Sequence, residues 1–152
     1  MQRYLLSRPY RPLGATICLL LFTVGCGSNR PEMVHVYGRV TLDGGDWPKP
    51  GVLNFSPVDP APGFSRRPAS AHFGKDGRFT TEAGQGEGLI PGTYRVAVTC
   101  WQRAPTDKEP VGQSYVAEEY AEFGQSELEL RIEPGSEPVE WNMDFPRADE
   151  AG

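Results

Sequence analysis

Between Val34 and Phe145 the chain repeatedly alternates apolar and polar residues with a period of two. Val34, Val36, Val40 and Leu42 fall on one face of an extended segment; His35, Tyr37, Arg39 and Thr41 fall on the other. Successive side chains of a strand point to opposite faces, so this spacing predicts a half-buried strand. Residues 52–57 predict a second strand. Residues 69–73 and 78–81 flank Gly74-Lys75-Asp76-Gly77, and Asp-Gly between β-prone runs predicts a hairpin. After Pro91-Gly92, the residues Tyr94, Val96, Val98 and Cys100 alternate with Arg95, Ala97, Thr99 and Trp101. Leu128, Leu130 and Ile132 then alternate with charged residues. Val139, Trp141, Met143 and Phe145 alternate with Glu140, Asn142 and Asp144.

The segments between these runs read as connections. Asp43-Gly44-Gly45-Asp46 is turn chemistry, because glycine accepts positive φ and Asp bonds its own backbone. Residues 58–68 and 102–113 are polar, proline-containing loops. Residues 114–123 predict the one helix, with Ser114 as its cap, Glu118 and Glu119 near its start and Gly124 at its end. About seven short strands and at most one short helix predict an all-β domain. Most strands are apolar on one face only, as in solvated antiparallel sheets. Packing two such sheets on their apolar faces gives an antiparallel β-sandwich, with a closed barrel as the competitor. A parallel α/β fold needs helices between its strands, and the spacing leaves no room for them.

Residues 1–25 have a different pattern. Arg3, Arg8 and Arg11 precede an apolar run from Ala15 to Val24, which closes on Gly25-Cys26. A basic start, a short apolar stretch and a small residue at the cut form a secretory signal. The run is shorter than the roughly 20 residues a bilayer span requires. Val24-Gly25-Cys26-Gly27 resembles the lipobox of bacterial lipoproteins, although Thr23 stands where that family prefers Leu. The resemblance implies cleavage before Cys26, a thioether-linked diacylglyceryl group on its sulfur and an acylated amino terminus. Residues 26–33 then form the lipidated start and a flexible tether, residues 34–145 the domain and residues 146–152 a polar tail. The expected location is the cell membrane or outer membrane, on the exported side.

Composition adds limits. Glycine and proline number 18 and 15 of 152 residues, but they fall between the alternating runs and mark turns rather than disorder. Removing the signal takes away three arginines and no acid, so the net charge moves from −5 to −8. An acidic chain without a basic cluster argues against nucleic acid as a partner. Cys18 leaves with the signal and Cys26 is acylated, so Cys100 is alone and no intrachain disulfide forms.

The order of segments is itself informative. Residues 38–44, 51–57, 76–80 and 91–98 (Gly-Arg-Val-Thr-Leu-Asp-Gly, Gly-Val-Leu-Asn-Phe-Ser-Pro, Asp-Gly-Arg-Phe-Thr and Pro-Gly-Thr-Tyr-Arg-Val-Ala-Val) resemble the carboxypeptidase regulatory-like domain. The chain is similar to small lipoproteins of planctomycete-type bacteria built on that domain. The resemblance covers residues 34–145. It implies a transthyretin-like sandwich with no catalytic residues, acting as an accessory module.

Candidate chemistry is sparse. His35 and His72 lie on different strands without a metal-ligand partner at useful spacing. Asp43, Asp46 and Asp76 sit in glycine turns, where turn geometry explains them. No Gly-x-Ser-x-Gly elbow occurs, so no enzyme, metal or cofactor is expected. Trp47 in a turn and Trp101 at a strand end read first as structural plugs; they are also the candidate ligand contacts, since an exposed indole stacks on sugar rings. Trp141 shares an apolar stripe and reads as core. These features suggest a membrane-anchored structural or protein-interaction module of the envelope, or alternatively a tethered carbohydrate-binding module.

Overall fold

A computed structural model describes residues 33–81 and 88–148. The signal, the lipobox with Cys26 and residues 27–32 of the expected tether lie outside the described residues. So do residues 149–152 of the expected tail.

Ten strands and one short helix occur among the described residues. They are β1 (Val36–Leu42), β2 (Gly51–Pro60), β3 (Ala69–Phe73), β4 (Arg78–Thr80), β5 (Gly92–Thr99), β6 (Trp101–Arg103), β7 (Gln113–Ser114), α1 (Glu118–Ala121), β8 (Glu129–Ile132), β9 (Val139–Glu140) and β10 (Met143–Phe145). Each of the seven alternating runs becomes a strand, and the last is split into β9 and β10. The fold is all-β.

The main sheet has the order β10-β1-β4-β3-β2-β5-β8, with β9 also on β1. It is a mixed sheet, which corrects the purely antiparallel expectation. Val36 pairs with Val139 and Val40 with Met143, both in parallel. The cause is the connection after β8. Residues 133–138 carry the chain from the β5 edge to the β1 edge. Six extended residues reach at most about 20 Å, so the two edges lie close and the sheet curls nearly into a barrel.

A second bridge joins the same edges at the other end. The Tyr115 N–H donates to Cys100 O (2.9 Å), and the Ala148 N–H donates to Tyr115 O (2.9 Å). Val116 and Arg147 form an antiparallel bridge between them. Residues 146–148 therefore belong to the fold rather than to a polar tail. Arg147 is fixed further by Asp43, whose carboxylate accepts from its Nε at 2.9 Å and its backbone N–H at 3.0 Å.

The predicted helix is corrected too. Ser114 pairs in β7 with Trp101, and the helix keeps only Glu118–Ala121 with no side-chain cap. Tyr115 spends its backbone groups on the bridge between strands, so they are lost to a helix. A single turn is marginal alone; here Tyr120 and Ala121 pack on the core. The loop expected at 58–68 starts later than its prolines suggest, because β2 runs on to Pro60. β3 pairs only as far as Phe55, so Pro57 and Pro60 lie where the strand has an open edge and need no amide donor there.

One apolar cluster fills the curled sheet. Val36, Val40, Leu42, Leu53, Phe55, Val96, Val98 and Phe145 are among its fully buried members. Tyr94 is buried with them, and its hydroxyl donates to Ile90 O at 2.8 Å. This backbone hydrogen bond resembles the tyrosine corner of β-sandwiches, and burial raises the Tyr94 pKa.

Candidate functional site

The two tryptophans chosen from the sequence have different fates. Trp47 is buried, only 2% exposed, so it plugs the core and is not available to a ligand. Its ring centroid lies 4.7 Å from that of Phe73 and 6.1 Å from that of Phe145. Its Nε1 donates to Val40 O at 2.9 Å. The turn that carries Trp47 folds inward over the β1 end of the core. Backbone pairing between Trp47 N and Lys75 O fixes that course.

Trp101 is 36% exposed and belongs to the β6–β7 hairpin, whose neighbour Val111 is 85% exposed. A Cβ built on Gly112 would meet the Trp101 ring at 2.7 Å and Pro105 at the same distance. One side of the indole therefore rests against Gly112. The structure brings Trp47 and Trp101 to no shared surface: one fills the core and the other stands on the hairpin.

Cys100 and the turn aspartates are engaged structurally. Cys100 is buried, and its Sγ donates toward Lys49 O and Pro50 O. Burial raises its pKa, which disfavours the thiolate. Asp43 pairs with Arg147, Asp46 with Arg39, and Asp76 caps the Arg78 N–H. Among the described residues no group of three or more His, Cys, Asp or Glu could hold a metal ion.

Sequence reasoning missed a groove on the outer face of β1, β4, β9 and β10. It has a volume of about 650 Å³. β1 supplies Tyr37, Arg39 and Thr41; β4 supplies Arg78; the 139–145 run supplies Glu140, Asn142 and Asp144. Close packing at Gly38 makes the groove floor. A Cβ there would lie 1.9 Å from Trp141 O, so only glycine lets the two backbones approach this closely. The Trp141 N–H donates to Tyr37 O at 2.8 Å, which holds the approach.

The groove's charges are mostly fixed. Arg39 faces Arg78 directly across the β1–β4 pair. Arg39 Nη2 donates to Asp46 Oδ1 at 2.8 Å and its Nε to Asp76 O at 2.8 Å. Arg78 is less constrained: its Nε is 3.8 Å from Asp76 Oδ2 and its side chain is 80% exposed. Asn142 accepts the Arg39 N–H at 2.8 Å and donates to Glu140 Oε1 at 2.9 Å. Asp144 accepts from the Thr41 hydroxyl at 2.5 Å and the Gly44 N–H at 2.7 Å. The Thr41 bond, followed by the Gly44 bond, lowers the Asp144 pKa. Tyr37 stands at the edge, 44% exposed.

The polar halves of these runs are visible in the sequence. Their meeting is not, because it depends on the parallel register of β1 with β9 and β10. No family model matches the chain, and neither does any curated protein or solved structure.

Proposed function

We propose that the chain is an exported, lipid-anchored and non-catalytic β-module that docks on another component of the cell envelope. In this reading Cys26 carries the lipid and the domain is a carboxypeptidase regulatory-like, transthyretin-like sandwich. The order of turns and strands supports that kinship, as does the backbone bond made by the Tyr94 hydroxyl.

One observation carries the reading: the chain enters the domain at the pole opposite its exposed hairpin. Four antiparallel steps separate β1 from β5, so both strands run the same way. Val34 precedes β1 and pairs with Leu89, just before β5. The β6–β7 hairpin follows the far end of β5. Eight residues of β5 at about 3.3 Å each put the two poles roughly 25 Å apart. A domain held by Cys26 presents Trp101 and Val111 away from the membrane, toward a partner. Exposed apolar side chains at such a tip suit a protein contact. The carbohydrate reading loses Trp47 to the core and keeps only Trp101 on this hairpin.

The test has two parts. Cys26→Ser should move the protein from the membrane fraction to the soluble fraction; an unchanged mature mass with retained membrane binding refutes the anchor. Site-specific crosslinking from position 111 should capture an envelope protein in wild type and lose it in Trp101→Ala. Equal capture by both proteins rejects the hairpin as the contact.

A further inference from the structure

We infer that the groove between Tyr37 and Arg78 binds an anionic saccharide of the hexuronic-acid class. The inference does not depend on the anchor or on the Trp101 hairpin, since it concerns a different face of the domain.

The electrostatics of the groove favour a bound carboxylate. Arg39 and Arg78 are direct cross-strand partners, and like charges in that position destabilise a sheet. Arg39 is neutralised by Asp46 at 2.8 Å. Among the described residues Arg78 has only the 3.8 Å approach to Asp76, a carboxylate that also accepts from the Arg78 backbone N–H at 3.2 Å. The planar Arg78 guanidinium is exposed and thus positioned for a second carboxylate, which it holds in bidentate fashion. Local rules broken without full compensation tend to mark functional sites.

The neighbours of Arg78 suit a sugar ring. Tyr37 precedes Arg39 by two residues on the same strand face and offers an exposed ring to the apolar side of a pyranose. Glu140 stands beside Tyr37 in the β1–β9 register. Asn142 fixes one oxygen of that carboxylate, which leaves the other for a sugar hydroxyl. A sugar ring presents hydroxyls that donate and accept, and a hexuronic acid adds one carboxylate. Tyr37, Glu140 and Arg78 match those three features in turn. A polyanion without a ring would use the arginine and leave Tyr37 and Glu140 unused.

The full chain should be titrated calorimetrically with tri-galacturonic acid, its methyl ester and inorganic polyphosphate. Saturable heat is expected from the acid, with at least tenfold weaker binding of the ester and of polyphosphate. Tyr37→Ala and Arg78→Gln should each weaken the acid at least tenfold, while Trp101→Ala leaves it unchanged. Urea midpoints of the variants separate lost binding from lost folding, and both side chains are exposed enough for the fold to survive. The inference is overturned by any of four results: no heat from the acid, equal binding of ester or polyphosphate, unchanged binding in folded Arg78→Gln, or loss of binding in Trp101→Ala.

Discussion

Replacing Trp47 by alanine tests whether the turn at residues 43–50 is a lid of the core or a presenting loop. The indole is 2% exposed and touches the rings of Phe73 and Phe145. Truncating a buried tryptophan to alanine costs about 3–5 kcal/mol, from lost transfer energy and the cavity left behind. Of this, about 1 kcal/mol belongs to the Nε1 bond to Val40 O. Domains of this size are stable by about 5–15 kcal/mol, so the variant forfeits a large share. Trp47→Phe keeps a ring but strands the buried carbonyl, at a cost of about 1–3 kcal/mol. Trp101→Ala, with its indole 36% exposed, should cost about 1 kcal/mol or less. Urea unfolding followed by circular dichroism measures all three on one scale, provided that the slopes agree. The reasoning fails if Trp47→Ala costs under about 1 kcal/mol, or if it costs less than Trp101→Ala.

Three further outcomes follow from particular contacts. Tyr94→Phe removes the donor to Ile90 O and should cost about 1–3 kcal/mol in the same assay; a neutral change means that carbonyl finds another partner. Gly38→Ala forces a Cβ against Trp141 O. It should speed hydrogen exchange at the Trp141 amide before that of the β2–β5 amides, and uniform protection would contradict the close approach. Asp144 has a lowered pKa in the fold, so its ionised form is the one that stabilises. That contribution is fully present above the ordinary aspartate pKa of about 3.9 and is lost as pH falls through the lower folded value. Asp144→Asn should therefore flatten the acid limb of a stability–pH curve, and parallel limbs for both proteins would show that the carboxylate does not matter.

The alternating runs by themselves determined the seven strand segments, the inward stripes and the all-β class. A period of two is a local property, and burial followed it: Val36, Val40 and Leu42 are inside while Tyr37 and Arg39 are outside. Cys100 and Asp76 were also legible, because their bland roles need only a strand end or a glycine turn, whereas Asp43 and Asp46 reach Arg147 and Arg39 instead. Pairing was not legible. Whether residues 139–145 run beside β8 or beside β1 depends on where a six-residue connection lands, and alternation is the same in either case. That choice made the sheet mixed, curled it and assembled the groove from β1, β4, β9 and β10. The choice between plug and ligand contact at Trp47 was not legible for a related reason. A turn residue carries no periodicity, so its burial is decided by the direction in which the loop folds. Residues 114–123 read locally as a helix, yet Tyr115 gave its backbone to two strand ends that are remote in sequence. Local pattern fixes which side of a strand is apolar; only the closing of the sheet decides which polar sides meet.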